Sequence, residues 1–390
     1  MCAIVNAVEC GVQAVFMAPT EILAVQHLYL LRKYLEPLDL TVELLRSDMS
    51  TAQRREILQG IKDGQIHVIV GTHAVMQDRV AFKKLGLVVI DEQHKFGVKQ
   101  RGLLYKKGKH PDVLVMTATP IPRTLAMTLY GDLDVSVLDE IPQGRGEVVT
   151  RVIRETQLPD AYGFIKKQVA KGRQAYLVYP LVAESKTSHF RSAEKMYETL
   201  KQTVFQDERL GLVHGQLNTA EKETVMERYK AGNMDILIAT TVIEVGIDIP
   251  NATIMLIEHA ERFGLAQLHQ LRGRIGRGGH KSFCILQGHP TSLDSWKRLK
   301  IMEKTNDGFR IAEEDLMIRG MGNLLGQEQS GFPLFRLGNP LEDGELLQRA
   351  RQEVFHILKE DSTLEKSHHH NLRKQAKALY HIVEPFVNVG

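Results

Sequence analysis

Short apolar runs that end abruptly at polar residues recur through the first 290 residues and alternate with helical patterns. Strands that alternate with helices form βα units on a parallel sheet. The run at 87–90 is short enough to be a buried parallel strand, and two adjacent carboxylates, Asp91 and Glu92, follow it. Open α/β sheets bind ligands outside the carboxyl ends of their strands, which is where these acids are predicted to lie.

The alternation occurs twice, which predicts two α/β domains in tandem. Strands are predicted at 13–18, 40–45, 66–71, 87–90 and 113–116, and again at 174–179, 209–213, 235–239, 253–257 and 281–286. Helix caps are predicted at Thr20, at Ser50, and at Asn218 or Thr219. A turn-rich linker at 141–146 divides the chain into domains at 1–144 and 145–288, and a helical extension covers 289–390.

Composition limits the class of protein. A chain of 390 residues with 25% charged and 43% hydrophobic residues is typical of a soluble protein with two or three domains. The net charge of +3 is mild, so any contact with nucleic acid must come from local clusters of basic residues. No apolar run is long enough to span a bilayer.

Cysteine and histidine usage offers no metal or disulfide framework. Three scattered cysteines favour a reducing, cytoplasmic location. The histidine run at 368–370 lies between charged segments, and we interpret it as a solvated stretch in preference to a metal site.

The acids after the fourth strand suggest phosphate chemistry. Asp91 could hold a Mg²⁺ ion on a nucleotide, and Glu92 could orient and deprotonate the attacking water. An isolated Asp-Glu pair is more often a solvated loop, so the hypothesis depends on the other segments. Thr117 and Thr119, at the end of the next strand, could hydrogen-bond these carboxylates and relay the nucleotide state to the second domain.

Other strand ends carry hydroxyls where a helix begins. Pro19-Thr20 and Gly71-Thr72-His73 each place a strand end beside free backbone N–H groups, which is a ready phosphate site, although each alone is more often an ordinary cap. In the second domain, Thr240 and Thr241 end a strand in the same way.

The second domain also carries groups suited to a nucleotide. Gly246 permits close backbone approach, and Asp248 could accept a ribose hydroxyl or pair with an arginine. Arg274 and Arg277 lie three residues apart in a Gly-rich frame, so a helix would aim both the same way. They are candidate arginine fingers, with a surface basic patch as the alternative.

Together these motifs resemble the motor of superfamily-two helicases, and most closely the RecG family. The matching segments, in order, are Asp91–Val98, Thr117–Arg123, Thr241–Pro250 and Gln267–Gly278. The resemblance covers about residues 1 to 380. It implies two tandem RecA-like α/β domains, the first truncated at its N-terminus, followed by a helical hairpin and loop.

The resemblance implies an ATP-dependent DNA helicase or translocase that acts on branched or forked DNA in recombination and repair. ATP and Mg²⁺ are the implied cofactors; no membrane and no particular protein partner are implied. By this resemblance Asp91 and Glu92 serve Mg²⁺ binding and hydrolysis, with Arg274 and Arg277 as fingers. The remaining implied roles are nucleotide binding by Gln267, Gly246 and Asp248, coupling by His94, Thr117 and Thr119, DNA-backbone contact by residues 18–20, 71–73 and 240–241, and translocation by Arg298, Arg319 and Gln329.

One family feature is missing from this sequence. The phosphate-binding loop G-x-x-x-x-G-K-[ST] does not occur in it, and neither does the family's N-terminal DNA-binding module. We therefore expect a chain that begins partway through its first motor domain, hydrolyses negligible ATP alone, and has a first domain less stable than its second. A non-catalytic DNA-binding remnant and the motor of a transcription-repair coupling factor are the alternatives.

Overall fold

The computed structural model describes residues 1–92, 107–108, 111–118, 133–138, 140, 144–180, 186–240, 249–289, 293–319 and 343–387. Its first lobe is built on a parallel sheet with the strand order β2-β3-β1-β4-β5. These strands are β1 (Gln13–Met17), β2 (Val42–Leu45), β3 (Val68–Gly71), β4 (Leu85–Ile90) and β5 (Asp112–Val115).

Among the described residues, three helices cover the first sheet: α1 (Cys2–Glu9), α2 (Glu21–Leu35) and α3 (Thr51–Asp63). Helix α2 buries one stripe of side chains against the sheet, namely Ala24, Leu28, Leu31 and Leu35. Helix α3 buries Ile61 in the core on the opposite face. Both faces of the central strands are therefore covered, which explains their continuous apolar character.

The second lobe has a six-stranded parallel sheet with the order β6-β11-β10-β7-β9-β8. Its strands are β6 (Val148–Ile153), β7 (Gln174–Val178), β8 (Leu210–Val213), β9 (Ile236–Ala239), β10 (Ala252–Ile257) and β11 (Ser282–Gln287). The helices of this lobe are α4 (Leu158–Val169), α5 (Lys186–Thr203), α6 (Thr219–Lys230) and α7 (Leu265–Arg272).

A helical extension follows the second sheet. It contains α8 (Leu293–Lys304), α9 (Gly308–Arg319), α10 (Gly344–Glu360) and α11 (His370–Val387). Helix α8 packs against β6 and α7, and α9 packs against α7. The extension is thus joined to the second lobe at the same helix that carries Gln267. No helix among the described residues is both long enough and apolar enough to cross a membrane.

The sequence-based expectations for the strands and helix caps hold, although one strand was missed. All ten predicted strands are present within two residues of their predicted bounds, and Thr20, Ser50 and Asn218 cap their helices. Strand β6 was not predicted. The expectation of a fully solvated histidine run is wrong for His369, which is buried with its Nδ1 2.9 Å from Asp361 Oδ2.

Candidate functional site

The carboxyl ends of four strands of the first sheet are held side by side by backbone hydrogen bonds. Ala18 N–H donates to Gly71 O at 3.0 Å, Asp91 N–H to Met17 O at 2.9 Å, and Met116 N–H to Ile90 O at 2.8 Å. Three predicted segments, at 18–20, 71–73 and 91–92, therefore lie along one edge of the first lobe. This is the edge at which open α/β sheets bind ligands.

Two of these segments present groups suited to phosphate oxygens. Thr20 caps α2, and its hydroxyl accepts from Leu23 N–H at 3.4 Å. Pro19 and Thr20 are half-buried, and His73 is exposed beside buried Gly71 and Thr72. The positive end of the α2 dipole and an exposed imidazole thus share one rim, an arrangement that favours an anion.

The carboxylates after β4 are held in a strained turn. Glu92 adopts a left-handed backbone conformation with φ of 50°, which costs a non-glycine residue on the order of 1–3 kcal/mol. Asp91 Oδ1 accepts from Glu92 N–H at 3.0 Å, and Glu92 Oε2 accepts from Ala118 N–H at 3.4 Å. The sequence predicted that threonine hydroxyls of the segment after β5 would contact these acids. In this hydrogen bond the donor is the backbone amide of Ala118.

A residue that the sequence analysis missed completes the contacts of Asp91. His27, on α2, places its Nε2 3.0 Å from Asp91 Oδ2. Its ring also lies against Phe16 of β1, with 4.4 Å between ring centroids. No motif marks a histidine inside an amphipathic helix, and its partner lies 64 residues away along the chain. Only the packing of α2 on the sheet brings the two side chains together.

Asp91 is suited to hold Mg²⁺. The side chain of Asp91 is 22% exposed, so one face of the carboxylate remains open to solvent. Mg²⁺ prefers oxygen ligands and keeps several waters, so a single half-open carboxylate meets its needs. The residues for a triphosphate are incomplete, because the sequence has no G-x-x-x-x-G-K-[ST] segment.

The second sheet has a matching edge. Thr240 N–H donates to Val213 O at 3.3 Å, Tyr179 N–H to Ala239 O at 2.9 Å, and Glu258 N–H to Val178 O at 3.0 Å. The Thr240 side chain is 1% exposed, and its hydroxyl has no hydrogen-bond partner in the described part of the chain. A buried hydroxyl that donates no hydrogen bond destabilises the fold unless a bound ligand supplies an acceptor.

A buried carboxylate lies at the same edge and was not predicted. Glu258 is 5% exposed, and its Oε1 accepts from the hydroxyls of Tyr162 and Tyr179 at 2.7 Å each. Burial, and then the charge of Glu258, raise the pKa of Tyr179 well above its ordinary value. Both phenols therefore stay protonated donors, and the three side chains tie α4 to the ends of β7 and β10.

The arginines of the Gly-rich frame lie in a turn, not in a helix. Helix α7 ends at Arg272, and Gly276 has a φ of +74° that continues no helix. Arg274 and Arg277 are half-buried, and Arg277 Nε donates to Gly273 O at 3.2 Å. The expectation that one helix would aim both guanidiniums is wrong. Gln267 lies half-buried within α7.

The first arginine of this segment anchors the extension. Buried Arg272 donates from Nη1 to the carbonyls of Met302 and Thr305 at the end of α8, both at 2.9 Å. Its Nη2 donates to His269 Nδ1 at 3.0 Å, so His269 is neutral and accepts through Nδ1. Burial, aided by the charge of Arg272, lowers the pKa of His269 to about 4.

The remaining predicted residues lie on α8, just after β5, or outside the described residues. Arg298 is half-buried on α8, and its Nη2 donates to Ser295 Oγ at 3.4 Å. Thr117 is exposed just after β5. The positions outside the described residues are His94, Thr119, Thr241, Gly246, Asp248 and Gln329, together with the side chain of Arg319.

Three family models match the chain in succession. The DEAD/DEAH box helicase model matches residues 1–128, and the helicase conserved C-terminal domain matches 163–279. The model described as ATP-dependent DNA helicase RecG, domain 3, C-terminal, matches 305–384. The matches follow the two lobes and the extension in order.

Curated relatives carry the same name. The ATP-dependent DNA helicase RecG of Synechocystis sp. is 50% identical over 363 residues, which are 93% of this chain and 44% of the relative. The Bacillus subtilis protein of that name is 46% identical, over 92% of this chain and 53% of its own length. The chain thus spans about half the length of the curated relatives that it matches.

Solved helicase structures have a similar fold. A structure of RecG bound to a three-way DNA junction superposes with a TM-score of 0.70 at 44% identity, covering 89% of this chain and 45% of that one. The Mycobacterium smegmatis helicase Lhr, bound to single-stranded DNA and AMP-PNP, superposes with a TM-score of 0.56 at 17% identity, covering 76% of this chain and 42% of that one. The second likeness concerns the fold alone.

Proposed function

Because this chain belongs to the RecG family of superfamily-two helicases, we propose that it is the motor region of an ATP-dependent translocase acting on branched or forked DNA. The observation that carries the proposal is the strained Asp91-Glu92 turn, which lies on the same sheet edge as the phosphate-type segments at 18–20 and 71–73. That the similar RecG structure is bound to a three-way DNA junction supports branched DNA as the partner.

The acids divide the chemistry of hydrolysis between them. Asp91 would hold a Mg²⁺ ion, which would supply charge neutralisation for a bound triphosphate. Glu92 orients the attacking water and takes its proton onto a carboxylate oxygen. The hydrogen bond that Glu92 Oε2 accepts from Ala118 N–H directs this carboxylate before any nucleotide arrives, and strained backbone such as that of Glu92 is common at active sites.

The second lobe supplies the positive charge. Arg274 and Arg277, in the glycine-rich turn after α7, would stabilise charge that develops on the transferred phosphoryl group. Gln267, Gly246 and Asp248 would contact the nucleotide.

DNA follows the carboxyl edges of both sheets. In the first lobe Pro19, Thr20 and residues 71–73 contact the sugar-phosphate backbone. In the second lobe Thr240 and Thr241 do so, and a phosphate oxygen would accept the buried Thr240 hydroxyl. Nucleotide state reaches this surface through His94, Thr117 and Thr119, and reaches the extension through Arg298, Arg319 and Gln329.

This chain alone hydrolyses negligible ATP. It lacks the lysine and the backbone amides of the phosphate-binding loop, so the acids and arginines would act on a nucleotide that is barely held. DNA-stimulated turnover by the purified chain would contradict this statement.

Two alternatives share the same fold. One is a non-catalytic DNA-binding protein, and the other is a motor of the coupling-factor type, which shares the resemblance of the helical extension. Salt-dependent DNA binding measured without nucleotide tests the first alternative.

The proposed function is tested by DNA binding. We expect a fluorescent three-way junction to bind more tightly than linear duplex, with an affinity that falls steeply as salt rises. His73→Ala removes an exposed imidazole from the rim and should weaken junction binding about threefold, whereas His356→Ala, an exposed change on α10, should not. Equal affinity of the two His variants would contradict the proposed DNA path.

A further inference from the structure

We propose that His27 is a positioning residue that couples DNA contact at the start of α2 to divalent-cation binding at Asp91. The inference rests on the proposed function, because it needs both the DNA path and the metal role of Asp91. His27 lies outside the segments that carry the resemblance in the sequence, and its part in the site follows from its contacts.

Asp91 has both carboxylate oxygens engaged. Oδ1 accepts from Glu92 N–H at 3.0 Å, and Oδ2 lies 3.0 Å from His27 Nε2. A carboxylate only accepts, so Nε2 carries the proton in this pair. The two contacts fix the rotation of the carboxylate and leave its remaining lone pairs for a cation and its waters.

The imidazole itself is held firmly. Its side chain is 24% exposed, and its ring packs on Phe16 of β1. The neighbouring Leu28 is buried against the sheet. His27 therefore follows α2 as a rigid unit, and its ring has little freedom to take another direction.

Helix α2 joins this contact to the DNA path. Its cap, Thr20, lies two helical turns before His27, about 10 Å along the axis. A phosphate bound at the cap acts on the whole helix, because the helix backbone is stiff and its dipole points at the cap. A shift of a few tenths of an ångström along the axis changes the His27–Asp91 distance directly.

The consequence is a reciprocal coupling. If DNA alters the position of His27, it alters the affinity of Asp91 for a cation, and the cation must alter DNA affinity by the same factor. A purely structural histidine would stabilise the fold without linking the two binding events. Measuring the coupling between cation and DNA binding therefore distinguishes a positioning role of His27 from a purely structural one.

The test uses the full chain with Mn²⁺ as the probe for Mg²⁺. Junction affinity is measured by fluorescence anisotropy with and without Mn²⁺ at constant ionic strength, and Mn²⁺ affinity without DNA by electron paramagnetic resonance. Asp91→Asn gives the contribution of Mn²⁺ on the DNA itself. We expect Mn²⁺ to change junction affinity about fivefold in the wild type relative to Asp91→Asn, a typical coupling.

Two substitutions at His27 decide the matter. His27→Ala should still bind Mn²⁺ and DNA separately, with a lower Mn²⁺ affinity than the wild type, but lose the coupling. His27→Gln, whose amide can still donate to Oδ2, should retain most of it, and His356→Ala should retain all of it. Circular dichroism checks that each variant folds.

The contradicting outcomes are distinct. Undiminished coupling in His27→Ala, or no Asp91-dependent coupling in a wild type that binds both Mn²⁺ and DNA, would overturn the role of His27 alone. Equal Mn²⁺ affinity of wild type and Asp91→Asn would overturn the coupling, because it removes the cation site at Asp91 on which the coupling rests. Failure of the wild type to bind junction DNA would overturn the proposed function along with it.

Discussion

The two lobes share a buried glutamine that cross-links the core, but their sheets end in differently covered outer strands. Gln13, at the start of β1, donates to the carbonyls of Ile61 and Ile66 at 2.9 and 2.8 Å, and Gln174, at the start of β7, donates to those of Tyr229 and Met234 at 2.6 and 2.9 Å. Each buried amide therefore ties a helix end and the following loop to a central strand. The same solution in both sheets shows that the core of each lobe is built alike.

The edges are built differently. Strand β5 ends the first sheet with Leu114 42% exposed. Strand β6 ends the second sheet, but side chains of the extension cover it: Glu303 accepts from Val152 N–H at 2.9 Å, and Asn306 donates to Val148 O at 3.0 Å. The backbone groups of an uncovered outer strand are left to water. The extension therefore stabilises the second lobe by covering β6, and no described residue covers β5 in this way.

The largest expected effect is at the anchor of the extension. Arg272→Ala leaves the carbonyls of Met302 and Thr305 without their donor and should lower the free energy of unfolding by about 4 kcal/mol. Urea unfolding followed by segment-resolved hydrogen exchange should assign the loss to the second lobe. Arg209→Ala, which removes an exposed pair with Asp235, is the control and should cost under about 1 kcal/mol. A loss spread equally over both lobes would break the comparison.

Acid should destabilise the second lobe selectively. The pKa of His269 is about 4 in the fold and near 6.5 when unfolded, so the unfolded chain binds the extra proton between these values. The stabilisation is complete above pH 6.5 and is lost as pH falls towards 4, by about 3 kcal/mol at most. His269→Asn, measured by urea unfolding across pH 4–7, should flatten this dependence. An unchanged slope would show that His269 does not set it.

The paired glutamines test whether the lobes are built alike. Gln13→Ala and Gln174→Ala should each cost about 2 kcal/mol, because each leaves one loop carbonyl, that of Ile66 or Met234, without its donor. Each also takes one of two donors from a helix carbonyl, that of Ile61 or Tyr229. Hydrogen exchange should assign each loss to its own lobe. Gln13 also accepts from the amides of Lys83 and Lys84, so its variant should be the worse of the two. The reverse order would argue against equivalent roles.

The smallest effect is expected at the open edge. Leu114→Thr keeps strand propensity and removes a side chain that is already half in water, so it should cost about 0.5 kcal/mol. The matched change Leu237→Thr in fully buried β9 should cost about 3 kcal/mol. Thermal unfolding of both variants measures the difference. Similar losses would mean that β5 is covered in solution.

The sequence predicted what local pattern determines. Ten strands followed from apolar runs, and the turn after α7 could have been predicted from Gly273 and Gly276. Strand β6 was missed because it follows a turn-rich segment and carries exposed Arg151, so it reads as a continuation of the linker. Its burial comes from α8, far along the chain.

The residues of the candidate site also divide into those with a local sequence motif, which were predicted, and those without one, which were missed. Asp91, Glu92 and Thr20 were predicted because each stands at a strand or helix end with a recognisable motif. His27, Glu258 and the anchoring role of Arg272 were not, since each depends on a partner between 30 and 96 residues away. Long-range contacts of single polar side chains leave no periodic trace in a sequence.

Hydrogen–deuterium exchange of the chain with and without three-way junction DNA tests most directly whether DNA follows the carboxyl edges of both sheets. We expect DNA to slow exchange at residues 18–23 and 71–76 in the first lobe and at 213–218 and 240 in the second. Protection confined to α10 and α11, or to the amino ends of the strands, would contradict it.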